Sequence, residues 1–309
     1  MKLRIRIVDD RATPPRPPMP DRAERSTGRQ IQPAHDLALG LAGGAAAVLS
    51  FILFVWLVGD LVRHGLPRLS GAYFTRGIED AGRSGGIAPL LVSTLWILLC
   101  CLSLAIPFGV GSALWLSEFA RRSGPIARLV NGGVELLAGV PSILFGLFGM
   151  VFFARTLGLG YSILSGGLTL ACMILPILVR TTLSALDALP VDLRPASAAL
   201  GLSRTTATFR VLLPAALPGI VVGITLGIGR ALSETAALLF TSGYSIRRPD
   251  SVFDSGRALS VHVYDLALNV ANGTPMAAAA ALVLLVLIFL VNSAAVALSE
   301  RWLRNRHAP

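Results

Sequence analysis

Arg230, Ser233, Glu234 and Thr235 stand inside GIVVGITLGIGRALSETAALLFTSG, Gly219 to Gly243, a stretch otherwise apolar enough to cross a bilayer. A guanidinium and a carboxylate four residues apart share one helix face and can pair at i,i+4. If the helix runs from about Leu217 to Thr241, Arg230 sits roughly twelve residues from either end, close to the midplane. An arginine at such depth costs about 2.5 to 3.5 kcal/mol to insert, so it faces a bundle interior or water rather than lipid. One explanation is an ion pair that only braces helix packing. Against it, buried pairs stabilise no better than apolar packing of equal volume, and the hydroxyls of Ser233 and Thr235 extend the polar face. A solute pathway explains that face better.

Arg180, followed by Thr181 and Thr182 in LPILVRTTLSALDALP, is a second cation in an apolar setting. It lies near a helix end, so it either lines the same route or snorkels to the interface. Two guanidiniums and nearby hydroxyls suit an anion, because the guanidinium fork donates bidentately to oxyanions such as phosphate. Glu118 and Glu135 fall at membrane boundaries, and Glu135 suits a helix N-terminus.

Other chemistry is missing from the sequence. Cys100, Cys101 and Cys172 lie in apolar runs without metal-ligand spacing and read as small buried hydrophobes. His35, His64, His262 and His307 are scattered and form no His-Glu-x-x-His motif. No nucleophile and base fall into a catalytic pattern. The only lysine is Lys2, so no Walker A loop exists to hold ATP phosphates. The chain is therefore expected to be no enzyme and to bind no cofactor or metal of its own.

The elements that must position these groups are membrane helices. With 54% hydrophobic and only 14% charged residues, and a mean hydropathy of +0.70, the 309-residue chain is too apolar for a soluble enzyme of its size. Residues 1–36, with RATPPRPPMPDRAERSTGRQ, read as a flexible basic tail. Residues 37–60 read as an uncleaved anchor helix. Five further spans follow: Ile87 to Leu116 around Pro107, Leu136 to Ala154 around Pro141, Ile163 to Leu186 around Pro176, Leu217 to Thr241, and Pro275 to Leu298. Such internal prolines are tolerated where neighbouring helices, hydroxyls or water satisfy the freed backbone. The core domain is 87–299 and a short tail is 300–309. Six spans place both termini on one side. Arginines within reach of the spans number thirteen on that side and eight on the other, which favours cytoplasmic termini. The same bias accounts for the net charge of +10 without nucleic acid.

The loop LPVDLRPASAALGLSRTTATFRVLLPAALPG, Leu189 to Gly219, is too polar to insert and too apolar to be disordered. Asp192 can cap a short helix with Pro195 in its first turn, Gly201 can end it, and Ser203 can cap a second helix running toward Pro214. This loop resembles the cytoplasmic motif of binding-protein-dependent ABC importer permeases: Glu-Ala-Ala, three residues, Gly, nine residues, an aliphatic, one residue, Leu-Pro. Gly201, Val211, Leu213 and Pro214 hold the spacing, and Ala196 agrees, whereas Pro195 replaces the Glu and Ser197 the second Ala.

The resemblance implies that segment 187–216 docks on a separate ATPase, which uses the ATP. ELLAGVPSILFGLFG, LPILVRTT and GRALSETAALLFTSG are further similar to stretches of phosphate-specific-transport permeases, the A subunit more than the C subunit, over about Gly86 to Leu298. That subfamily has Gly-Glu-Thr where this chain has Ser233, Glu234 and Thr235. The expectation is an all-α, six-span permease of the type I ABC importer fold in a bacterial inner membrane. Its implied partners are a second permease subunit, an ATPase dimer and an extracytoplasmic phosphate-binding protein. Sulfate, molybdate or phosphonate as cargo, and an ion-gradient-driven transporter, are the alternatives.

Overall fold

A computed structural model describes residues 33–120 and 124–307. The expected tail thus falls almost wholly outside the described residues. The chain divides into two units, residues 1–56 and 57–309. The first contributes most of α1 (Pro33–Gly65), a helix four residues earlier in its start and five later in its end than the anchor expected at 37–60. Its apolar side chains, Leu39, Phe51, Phe54 and Trp56 among them, are exposed on the chain alone, as a lipid-embedded helix requires.

The second unit opens with a short helix, α2 (Gly71–Thr75), capped by the Ser70 hydroxyl. A small hairpin of β1 (Ile78–Glu79) and β2 (Ser84–Gly85) follows, with Ile78 opposite Gly85. Then come α3 (Ala88–Leu114), α4 (Pro125–Gly139), α5 (Ser142–Gly149) and α6 (Ile163–Asp187). After these lie α7 (Leu193–Ala199), α8 (Arg204–Ala207), α9 (Leu213–Leu232), α10 (Ala236–Leu239), α11 (Leu259–Leu268) and α12 (Thr274–His307). π turns extend α3 over Trp115–Phe119 and α5 over Met150–Thr156, and join α8 to α9 over Thr208–Leu212.

The core gathers on α6. Leu170, Ile174 and Leu178 of α6 pack with Ile97, Cys101 and Ala105 of α3, Ile228 and Leu232 of α9, and Ala237 and Leu238 of α10. Glycines let these helices approach: a Cβ at Gly167 would lie 2.5 Å from Cys100 Cβ, and one at Gly223 would collide with the Thr181 hydroxyl. Pro107 and Pro176 remain inside continuous helices. The three cysteines are free, and Cys101 is fully buried, in keeping with a packing role.

Three expected boundaries need correction. The span drawn from Leu136 to Ala154 is two helices, α4 and the α5 extension, meeting at 106° across Val140 and Pro141. Pro141 has no N–H and restricts the residue before it, so it marks the break instead of sitting within a span. Among the described residues, five helices are long and apolar enough to cross alone, and the count reaches six only when this bent pair is one crossing. The span drawn to Thr241 stops at Leu232. Finally α12 runs on through His307, so 300–309 begins inside a helix.

Candidate functional site

Arg230 and Glu234 pair as their spacing predicts, with Arg230 Nη2 3.1 Å from Glu234 Oε2. Their setting differs from the expectation. Arg230 lies in the last turn of α9, and Glu234 follows the helix end, so the pair marks a helix terminus and not the middle of a span. The two partners are also unequal: the Glu234 side chain is 3% exposed and that of Arg230 43%. Glu234 is pinned from several sides. Its Oε1 accepts from the Ala237 N–H at 3.2 Å, which supplies a donor to a carboxylate at the start of α10. Its carbonyl accepts from the Ser260 hydroxyl at 2.6 Å. Arg230 therefore hangs from a fixed, buried anchor with its side chain partly open to solvent. Among the described residues its remaining contact is Nη2 to Met173 Sδ at 3.7 Å, leaving Nε and Nη1 without partners.

Ser233 is exposed, and its hydroxyl is spent on the carbonyls of Gly229 and Arg230. Thr235 is half-buried beside Glu234. Arg180 lies two turns along α6 from Met173, on the same helix face and about 10 Å further by helix rise. It pairs with Glu135 of α4, Nη2 to Oε1 at 3.3 Å, and both side chains are more than half exposed. Glu135 is thus near the C-terminal end of α4 and not at a helix N-terminus, which corrects the sequence reading. So α6 carries one cation, Arg180, and touches a second, Arg230 of α9, through the buried Met173, and each cation is tethered to its own carboxylate.

The segment 187–216 forms two short helices. Gly201, at φ +72°, ends α7: its N–H bonds the Ala198 carbonyl at 2.9 Å and the Leu202 N–H that of Ser197 at 3.2 Å. These are the paired bonds of a Schellman terminus, for which the left-handed residue is best glycine. Ser203 caps α8 by accepting from the Thr206 N–H. Asp192 precedes α7 but its side chain makes no capping bond, since its backbone is already helical. Pro195 and Ala196 are exposed while Ser197 is buried and back-bonded to the Leu193 carbonyl. Pro195 occupies the first turn, where its missing N–H costs nothing. Val211 lies in the π turn, and the wider turn precedes Leu213 and Pro214, which continue into α9. The outer surface carries Val191, Pro195, Ala196 and Leu200 to solvent, an apolar patch outside any span.

The profile of the family described as binding-protein-dependent transport system inner membrane component matches residues 105–304. The chain belongs to that family. It is thereby an ABC importer permease, a membrane-embedded transport component and not an enzyme. It is 34% identical over 288 residues to the probable ABC transporter permease protein YqgI of Bacillus subtilis (strain 168), covering 86% of this chain and 94% of that one. It is 32% identical over 268 residues to the phosphate transport system permease protein PstA 1 of Mycobacterium tuberculosis (strain ATCC 25618 / H37Rv), covering 85% and 86%. Its fold is similar to that in a bacterial alginate ABC transporter solved with alginate pentasaccharide-bound periplasmic protein. The TM-score is 0.62 at 16% identity, over 88% of this chain and 98% of that one.

Two features of this permease escaped sequence reasoning. Glu118, in the π turn that ends α3, holds Arg194 of α7 at 2.7 Å. Arg257 is half-buried against Asp265 at 2.8 Å, lies 5.1 Å from the Tyr244 ring centroid, and approaches His262 Nδ1 at 3.5 Å. Burial first, and the Arg257 charge second, push the His262 imidazole down to about 4. Glu118 and Arg194 stand 76 positions apart, so no spacing rule joins them. Arg257 stands in a loop, where the sequence offers it only as one of the eight arginines on the far side.

Proposed function

We propose that this permease carries phosphate inward as part of an ATP-driven importer. Its partners would be a second permease subunit, an extracytoplasmic phosphate-binding protein and an ATPase dimer engaging α7, with both termini cytoplasmic. The observation that carries the reading is the partly exposed Arg230 side chain held by a buried Glu234 at the end of an apolar helix. A fixed anchor orients the cation before any anion arrives, and the free Nε and Nη1 donors match a phosphate edge. Pairing with Glu234 also attenuates the net charge, which keeps the anion from settling in a deep well that would stop conduction. Arg180, paired with the exposed Glu135 and about two turns along α6 from Met173, supplies a second, more solvated cation, so in this reading the anion meets two modest attractions. Thr235 adds a hydroxyl near the first of them, and the Ser233 hydroxyl would join only by giving up its bonds to the Gly229 and Arg230 carbonyls. The relatives named as phosphate permeases support phosphate over other oxyanions.

The test is reconstitution. The chain is purified with its co-expressed neighbours, placed in liposomes, and assayed for uptake of labelled phosphate with ATP inside, in competition with sulfate, molybdate and a phosphonate. Phosphate uptake resistant to the other three supports the reading. ATP-dependent uptake of one of them without phosphate would replace the cargo, and uptake driven by an ion gradient without ATP would reject the mechanism.

A further inference from the structure

α7 is short and turns its outer surface to solvent, so few contacts hold it to the bundle. Chain connectivity links it to α6 through residues 188–192 and to α8 and α9 through 200–203. To α3 it has no such link. What joins those two is Leu193, which packs on the cluster containing Leu114 of α3, and the Glu118–Arg194 pair. Apolar contacts are non-directional and can slide. The ion pair cannot slide without breaking. Glu118 Oε1 accepts from Arg194 Nη2 at 2.7 Å, from Arg194 Nε at 3.2 Å and from the Ser117 hydroxyl at 2.8 Å, and Oε2 takes a further long contact from Nε at 3.4 Å. Arg194 Nη2 also reaches the Leu186 carbonyl at the end of α6. The carboxylate is 8% exposed, so water competes little for it. The turn that carries it is π-wound, a local widening that is frequent at working sites in helices.

Resting on the reading of α7 as the ATPase-facing element, we propose that Glu118 and Arg194 form the brace through which displacement of α7 drives α3. The pair lies within the chain and on its own element boundary, so it is a positioning device and not a contact with cargo or nucleotide. Pro195 adds nothing to it, because the charge that ties α7 down comes from Arg194, one position earlier. Without the brace, α7 still docks and still moves α6 and α9, but α3 lags and hydrolysis proceeds without a completed transport step.

The experiment measures ATP hydrolysed per phosphate moved by the full complex in liposomes, with co-purification of the ATPase as the assembly control. Glu118→Gln keeps shape and the Ser117 bond while removing the charge. It is expected to raise the ratio at least about fivefold, the low end of coupling between sites, with assembly unchanged. Arg194→Lys keeps charge and loses the fork, and is expected to raise it by a smaller factor. An unchanged ratio in Glu118→Gln overturns the proposal, as does an unchanged ratio in Arg194→Lys should the first variant not co-purify. If the wild-type complex moves a different anion, the cargo reading fails, and the same ratio taken with that anion still decides the brace.

Discussion

Replacing Arg230 by Met separates a conducting role from a bracing one when it is combined with Glu234→Gln. The single change leaves the 3%-exposed carboxylate with the Ala237 N–H on Oε1 and nothing on Oε2. An unpaired buried charge left by losing its partner costs about 3 to 5 kcal/mol. Because the Arg230 side chain is 43% exposed, water already screens part of the pair, and about 1 to 3 kcal/mol is the fitting range here. Arg230→Met with Glu234→Gln removes the stranded charge while the amide oxygen still accepts from Ala237, so most of that stability returns. Transport does not return if Arg230 meets the anion. Losing one charged hydrogen bond, worth about 1.5 to 3 kcal/mol, slows uptake at low phosphate by roughly ten- to a hundredfold. The assay pairs thermal unfolding of the complex in nanodiscs with labelled phosphate uptake in liposomes. A double variant that regains both stability and uptake refutes the conducting role and leaves Arg230 a brace.

Three further outcomes follow from the same structure. Gly201→Ala forces a β-carbon into a left-handed φ of +72°; a loss of about 1 to 2 kcal/mol is expected with weaker ATPase co-purification, although the space beside it is open. Gly223→Val drives a side chain into Thr181 of α6 and should cost about 1 to 3 kcal/mol, read as a lowered unfolding temperature in detergent. His262, faced by Arg257 and by Asp265 behind it, has a folded pKa of about 4. The unfolded chain, titrating near its ordinary value, takes up the proton first. Stability is therefore whole above about pH 6.5 and falls as pH drops toward about 4, by roughly 3 kcal/mol in all. His262→Phe should flatten that slope in acid-unfolding curves.

The polar residues on helices were legible because hydrocarbon makes each one conspicuous. Arg230 with Glu234 came from i,i+4 spacing alone, and Gly201 and Ser203 from the local chemistry of helix ends. What failed depended on contacts between distant segments or on where a helix stops. α9 ends at Leu232, and Glu234 just beyond it accepts from the Ala237 N–H and the Ser260 hydroxyl, yet nothing in the apolar run before Thr241 announces a stop. Glu135 looked like a cap because its partner, Arg180, comes 45 positions later (180 − 135). Pro141 reads as a tolerated kink because helical membrane spans often hold one, whereas the chain turns there by 106° and α5 packs against α6 and α10.

The sharp corner at Val140 and Pro141 has a bearing on how the permease lives in its membrane. Gly139 and Pro141 are exposed at the corner on the single chain, where the last carbonyls of α4 and the first amides of α5 fall outside the regular helical ladders. Hydrocarbon does not admit bare peptide groups of that kind; a neighbouring protein surface or a pool of water has to reach them. A solitary copy dissolved in lipid would thus be an ill-suited guest, whereas an assembled transporter offers the corner a companion wall or a wet seam.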